Sequence, residues 1–152
     1  MFRSLQDFFD ALQPASSGPA HDADAVRLAC AVLLVEVTRS GGGADAAERS
    51  AICDALRARF GIGGEDLRQL VGLAEQVAHG ASDFFQFTSR LNDALDTPAK
   101  IALVEAMWRV AYADGNPDAY EMHVISRIAG LLEVTHGEYI GAKMRAKQAA
   151  GL

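Results

Sequence analysis

The sequence predicts an all-α protein, folded as a compact bundle of about seven to eight helices. Apolar residues recur three and four positions apart along almost the whole chain, whereas the strict alternation typical of strands is nearly absent. Half of the residues are hydrophobic and 22% are charged, a composition typical of chains that fold around a core. The 152 residues suffice for one well-packed domain and are too few for two ordinary ones.

The first predicted element is a short amphipathic helix over residues 1–13. A linker over residues 14–21, rich in proline, serine and glycine, separates it from the main domain. The polar face of this helix has little basic charge, so packing of the apolar face on the domain, or on a second copy in a homodimer, is favoured over contact with a membrane. The apolar positions are Phe2, Leu5, Phe8, Phe9 and Leu12.

The main helical domain is expected over residues 22–148, beginning with a helix over residues 22–39. This helix is apolar on most faces and therefore belongs in the middle of the bundle. The next helix begins at Asp45 and ends before Gly61, a residue suited to the left-handed turn that closes a helix. The same periodicity predicts helices at residues 64–79, 82–95, 98–113, 118–132 and 135–147.

End signals and aromatic residues support the later helices. Thr97 followed by Pro98 marks a helix start, with threonine as the cap and proline at the first helical position. The last helix ends in a basic turn, which suits the negative end of the helix dipole. The aromatic residues predicted to lie in the core are Phe84, Phe85, Phe87, Trp108 and Tyr112.

The sequence contains an internal repeat, because residues 110–121 resemble residues 37–48 at an offset of 73 positions. Each copy combines the end of a helix, a loop and the start of another apolar helix. We therefore predict two helix-loop-helix halves related by a pseudo-twofold axis.

Charge and cysteine content exclude several classes of function. The chain has 14 Lys and Arg against 20 Asp and Glu, a formal net charge of −6, so no nucleic acid is expected as a partner. Cys30 and Cys53 stand far apart without metal-binding spacing, which favours a reduced cytoplasmic location over disulfides or zinc. Residues 28–37, the longest apolar run, fall short of the roughly 20 that span a membrane, so no span is expected. The first residues lack a basic region followed by an apolar core and a small-residue cleavage site, so no signal peptide is expected.

The acidic loop of the second half is the first candidate site. Asp114, Asn116 and Asp118 have the spacing that begins an EF-hand calcium loop. The loop is not an EF-hand, because Ala119 and Ile125 stand where that motif needs glycine and glutamate.

Both loops also have capping-box spacing, in which two side chains accept hydrogen bonds from free backbone N–H groups at a helix start. The pairs are Asp45 with Glu48 and Asp118 with Glu121. Two interpretations stay open: these carboxylates only cap helices, or they also bind a divalent cation or another cationic partner.

Two further carboxylates, Glu36 and Glu105, lie within otherwise apolar helices. An unpaired buried carboxylate costs several kcal/mol, so each needs a partner, an exposed position or a shifted pKa. Arg39 and Arg109 are nearby partners along the chain, and Glu36 and Arg109 could also pair across the pseudo-twofold axis. Alternatively, five carboxylates converge as hard oxygen ligands for Mg, Ca or Mn rather than Zn: Glu36, Glu48, Glu105, Asp114 and Glu121.

Nucleophilic catalysis has little support in the sequence. The four histidines are scattered, neither cysteine has an obvious activating partner, and there is no glycine-rich phosphate loop after a strand. We therefore expect a protein that is not an enzyme.

Three segments resemble the tellurite-resistance TerB-like proteins: Leu-Leu-Val-Glu-Val-Thr-Arg at residues 33–39, Phe-Thr-x-x-Leu-Asn at 87–92, and Val-Glu-Ala-Met-Trp-Arg-Val-Ala-Tyr-Ala-Asp-Gly at 104–115. The resemblance covers about residues 24–143. It implies an all-helical fold of two related halves, acidic clusters suspected of binding metal ions, and no established enzymatic reaction.

Carried over to this chain, the resemblance singles out the same five carboxylates: Glu36, Glu48, Glu105, Asp114 and Glu121. One departure is that the first half has Gly41-Gly42 where the second has Asp114-Gly115, so a first-half cation site would lack that carboxylate.

These observations favour a non-enzymatic bacterial binding module in the cytoplasm or at the periphery of the inner membrane, linked by the resemblance to tellurite and stress resistance. Its ligand is expected to be a divalent cation or a protein partner, including a membrane-associated one. The alternatives are a small metal-dependent enzyme that uses the same carboxylates and a purely structural interaction domain.

Overall fold

The computed structural model describes residues 19–39 and 43–152, and within these residues the fold is all-α, as predicted, with seven helices and no strand. The helix predicted over residues 1–13, most of the linker and residues 40–42 lie outside the described residues. The helices are α1 (Pro19–Thr38), α2 (Ala46–Phe60), α3 (Gly64–Gly80), α4 (Phe85–Ala94), α5 (Thr97–Ala111), α6 (Ala119–Leu131) and α7 (His136–Ala149).

Helix α1 is the centre of the bundle, as its apolar faces predict. Every residue from 28 to 34 is buried, and the helix contacts α2, α3, α4, α5 and α6. It begins at Pro19, three residues before the predicted start, because proline lacks only an N–H group that has no helical partner in a first turn. None of the described helices is long and apolar enough to cross a membrane.

The ends of the helices follow the predicted capping signals with one correction. Gly61 closes α2 in the left-handed conformation, with φ 66°, as predicted. At α5 the cap is Asp96 rather than Thr97, because the Asp96 carboxylate accepts a hydrogen bond from the backbone N–H of Ala99 at 2.9 Å. Thr97 is therefore the first helical residue, and Pro98 is the second.

The aromatic core is confirmed except at one position. Trp108 and Phe87 are fully buried, and the Trp108 ring lies 5.9 Å from that of Tyr112. Phe85, by contrast, is 66% exposed. Residues two positions apart lie on nearly opposite sides of a helix, so α4 turns Phe87 into the core and Phe85 towards solvent.

The two predicted halves correspond to the helix pairs α1–α2 and α5–α6. Helix α1 contacts both α5 and α6, and α2 contacts α5, so the two pairs pack directly on each other. This packing places the start of α2 beside the loop between α5 and α6. The pseudo-twofold relation between the pairs stays a prediction.

Candidate functional site

Carboxylates from the two loops meet at the surface of the bundle. One oxygen each of Asp45, Glu48 and Asp114 lies within 4.8 Å of the other two. The first two residues belong to the start of α2, whereas Asp114 lies in the loop after α5. We call this cluster, together with the neighbouring Asp118 and Glu121, the acidic junction.

Two capping boxes fix the positions of four of these five side chains. Asp45 accepts a hydrogen bond from the Glu48 backbone N–H at 2.8 Å, and Glu48 accepts one from the Asp45 N–H at 3.1 Å. Asp118 and Glu121 form the same pair of bonds at 2.7 and 3.0 Å. Each bond uses one carboxylate oxygen, so the capping role leaves the second oxygen of every residue to other contacts.

Burial, and then mutual repulsion, raise the pKa values of carboxyl groups across the junction. Burial raises the pKa of Glu48, and the negative charges of Asp114, Asp45 and Asp118 raise it further, against the lowering effect of the Asp45 N–H. Burial likewise raises the pKa of Glu121, with contributions from Asp118, Glu48 and Asp114. The two loops are therefore electrostatically coupled.

Asp114 is the residue through which the second loop reaches the first. Desolvation raises the pKa of Asp114, and a hydrogen bond to the Asp45 carboxyl group and the Asp45 charge raise it further. Such a hydrogen bond exists only while one of the two carboxyl groups is protonated, and ionisation of both leaves two negative charges side by side. A site of this kind favours any positive charge that can replace the proton.

No basic side chain neutralises the junction within the described residues. The salt bridges that arginine and lysine form within the described residues all involve carboxylates outside the junction. Two oxygens bound to one calcium ion at roughly 2.3–2.6 Å can be no more than about 5 Å apart. The separations among Asp45, Glu48 and Asp114, none above 4.8 Å, lie close to this limit, so a small inward movement of the side chains would let the three oxygens bind one calcium ion.

The structure brings together three of the five carboxylates that the sequence singles out: Glu48, Asp114 and Glu121. The other two form separate ion pairs. Glu36 is buried, with Arg39 Nη1 3.3 Å from its Oε2 atom, and burial raises its pKa. Glu105 lies 3.0 Å from Arg109.

A third charged group completes the Glu105 network, since Arg145 of α7 donates a hydrogen bond to Glu105 at 2.5 Å. The predicted pairing of each glutamate with the arginine next to it along the chain is therefore present. The alternative pairing of Glu36 with Arg109 across the two halves is not the one the structure has, because Arg109 pairs with Glu105. The binding of a metal ion by Glu36 and Glu105 stays a prediction.

Asp45 and Asp118 were not among the five carboxylates that the sequence singled out as metal ligands, although both lie in the acidic junction. The signal that could have found them is the internal repeat, which aligns Asp45 with Asp118 and Glu48 with Glu121. The first half lacks a carboxylate at the position equivalent to Asp114, but this does not leave the first-half loop without one nearby. Asp114 of the second half completes a cluster with Asp45 and Glu48 of the first, so the loops share one cluster instead of forming two.

The buried cysteine is unsuited to nucleophilic chemistry. Burial raises the pKa of the Cys30 thiol to about 12, so the group is a thiol and not a reactive thiolate at neutral pH. Cys30 therefore serves as a small core residue.

Comparisons with known proteins identify the chain at the level of its family. Neither the curated proteins nor the solved structures include a match. The family model described as Tellurite resistance protein TerB matches residues 27–144, which include α1 from its third turn, the acidic junction and most of α7. On this match the chain belongs to the TerB tellurite resistance family.

Proposed function

We propose that this chain is a non-enzymatic binding module whose acidic junction binds a divalent cation. One observation carries the proposal: Asp45, Glu48 and Asp114 approach within 4.8 Å of one another, and no described basic side chain neutralises them. Like charges this close are unfavourable unless protons or a cation separate them.

The donor set favours Mg, Ca or Mn over Zn. The three clustered ligand atoms are carboxylate oxygens, whereas zinc sites usually include histidine nitrogen or cysteine sulfur. The capping boxes hold Asp45 and Glu48 in place before any ion binds, which limits the ordering that binding requires.

Binding is favoured over metal-dependent catalysis because the junction contains carboxylates alone. A hydrolytic metal site commonly adds a general base or an activated nucleophile to its metal ligands. His123, the nearest histidine along the chain, lines a different cleft together with Phe84 and Tyr120. A role in tellurite or stress resistance, and a cytoplasmic or membrane-peripheral location in a bacterium, form part of the same proposal and rest on the family.

The test is thermal melting of chelator-treated protein titrated separately with magnesium, calcium, manganese and zinc. A ligand that binds only the folded state at 100 times its Kd adds about 2.7 kcal/mol to the free energy of unfolding. For a domain of this size that corresponds to a rise in Tm of roughly 5–11 °C. We expect a saturable rise with at least one of the first three ions.

Asp114→Asn is the informative variant, because it removes one charge, keeps the side-chain shape and removes no helix cap. Asp93→Asn is the matched control, since Asp93 is an exposed carboxylate on α4, outside the junction. We expect the cation-induced rise to disappear in the first variant and to persist in the second. An equal rise in both variants would place the ion elsewhere.

A basic protein partner is the second candidate, favoured by the same uncompensated charge. If no ion changes Tm, the cation proposal fails. The partner hypothesis would then require binding of a basic protein that weakens with ionic strength and is reduced by Asp114→Asn. If Asp114→Asn changes neither the cation-induced rise in Tm nor the binding of a basic protein, the carboxylates of the junction serve only as helix caps.

A further inference from the structure

A groove lies between α2, α5 and α7, lined by 16 apolar residues and by four charged ones, Asp54, Arg59, Glu105 and Arg109. It encloses about 710 Å³, and Cys30 and Leu34 of α1 form part of its floor. Alanines on facing sides of α2 and α5 line it, and alanines of α7 close the third side. We call it the alanine groove; its facing residues are Ala51, Ala55, Ala58, Ala99, Ala102 and Ala106.

The size of the alanine groove indicates that a group of larger side chains fills it. Alanine has no side-chain atom beyond Cβ, so three helices that face one another through alanines leave a space between them. A further helix that places large side chains in this space would contact the alanines of all three helices.

The N-terminal segment of the chain has the matching apolar surface. On a helix with 3.6 residues per turn, the five large apolar residues of positions 1–13 fall within an arc of about 120°, and the charged residues fall outside it. Those five residues are Phe2, Leu5, Phe8, Phe9 and Leu12. A helix with this stripe needs an apolar groove to cover it.

The chain length between the two surfaces is sufficient. Asp22, in the first turn of α1, pairs at 2.5 Å with Arg90 of α4, and Leu95 at the end of α4 lines the groove. Cys30 is eleven residues beyond Pro19, a distance of roughly 16 Å along α1. Residues 14–18 can extend about 17 Å, which brings residues 1–13 beside the near end of the groove.

A second cleft in the described residues is a poorer match. It is smaller, about 370 Å³, and four of its 13 lining residues are charged, against four of 20 in the alanine groove.

We propose that the N-terminal segment, residues 1–13, forms a helix that docks in the alanine groove of its own chain. The docked helix places its aromatic side chains against the alanines of α2 and α5 and covers the exposed sides of Ala102 and Ala106. This inference is independent of cation binding at the acidic junction.

The test is paramagnetic relaxation enhancement on the full chain. A nitroxide is attached to Ser4→Cys in a Cys30→Ala, Cys53→Ala background, because Ser4 lies at the edge of the apolar stripe. We expect the amide signals of residues 99–106 and 51–58 to lose the most intensity. A well-dispersed spectrum without the label establishes that the variant folds.

Two controls separate docking within the chain from its alternatives. In the first, Phe8→Asp with Phe9→Asp must abolish the loss at the groove, whereas Asp10→Asn, on the polar face, must preserve it. In the second, spin-labelled protein is mixed with unlabelled, nitrogen-15-enriched protein. Signal loss in that mixture equal to the loss within one molecule would show docking on a second copy and overturn the proposal. The proposal would also be overturned if the greatest signal loss occurred at the cleft beside Phe85, or if no region lost more signal than the rest.

Discussion

Asp114→Asn should stabilise the cation-free protein, in contrast to most substitutions at ordered positions. Asp114 faces Asp45 and Glu48, with carboxylate oxygens no more than 4.8 Å away. At that distance a pair of unit charges repels by roughly 0.9 kcal/mol in a water-like dielectric and by more where the surroundings are less polar. Removing one charge from two such pairs is expected to raise the free energy of unfolding by about 1–2 kcal/mol at pH 7.

The pH dependence distinguishes relieved repulsion from other causes. Burial and neighbouring carboxylates raise the pKa of Glu48, Asp114 and Glu121 in the folded protein. The folded state therefore retains protons that the unfolded chain has already released, and its stability falls as pH rises from about 4 through the raised folded pKa values. Asp114→Asn should flatten this fall.

The assay is urea unfolding in the presence of a chelator at several pH values between about 3 and 8. The advantage of Asp114→Asn should be largest near neutral pH and vanish near pH 3, where the carboxylates are protonated. If the variant is instead less stable than the parent at every pH by the same amount, the lost hydrogen bond between Asp114 and Asp45 dominates, and the reasoning from repulsion is wrong.

Three other predictions concern the scaffold. Asp96→Ala should lower the free energy of unfolding by about 1 kcal/mol, measured by urea unfolding, because Asp96 caps α5. Thr97→Ala should change it by less than about 0.5 kcal/mol. A larger loss in Thr97→Ala than in Asp96→Ala would show that threonine is the cap. Trp108→Ala should cost about 3–5 kcal/mol by the same assay, whereas Phe85→Ala should be nearly neutral, since the first residue is fully buried and the second is 66% exposed. Cys30 should react with a thiol reagent only when the protein unfolds, tested at pH 8 in a variant without the second cysteine; fast reaction in the folded state would contradict the pKa of about 12.

Much of the fold was predictable because it depends on local patterns. The apolar faces of α1 predict its central position, and Gly61 predicts the end of α2. The errors lie where two patterns compete. Both Asp96 and Thr97 can cap α5, and the choice depends on which residue has extended backbone geometry. Phe85 has a large apolar side chain of the kind usual in a core, yet it faces solvent, because its position along α4 places it on the exposed side of the helix.

The candidate site was less predictable because it forms between distant parts of the chain. Each capping box could be found from a spacing of three residues, but nothing in that spacing says that the two boxes approach each other. The proximity of Asp45 to Asp114 follows from how the two helix pairs pack. Glu36 and Glu105 were grouped with these residues by chemistry, and packing instead gives each an arginine.

The capping boxes have a consequence for how this surface can evolve. Asp45, Glu48, Asp118 and Glu121 start two helices, so selection for folding alone is expected to retain them whether or not anything binds there. Asp114 caps no helix and, in the cation-free protein, adds repulsion. Among related sequences, retention of an acid at the position of Asp114 therefore reports on the ligand, and retention of the other four reports on the scaffold.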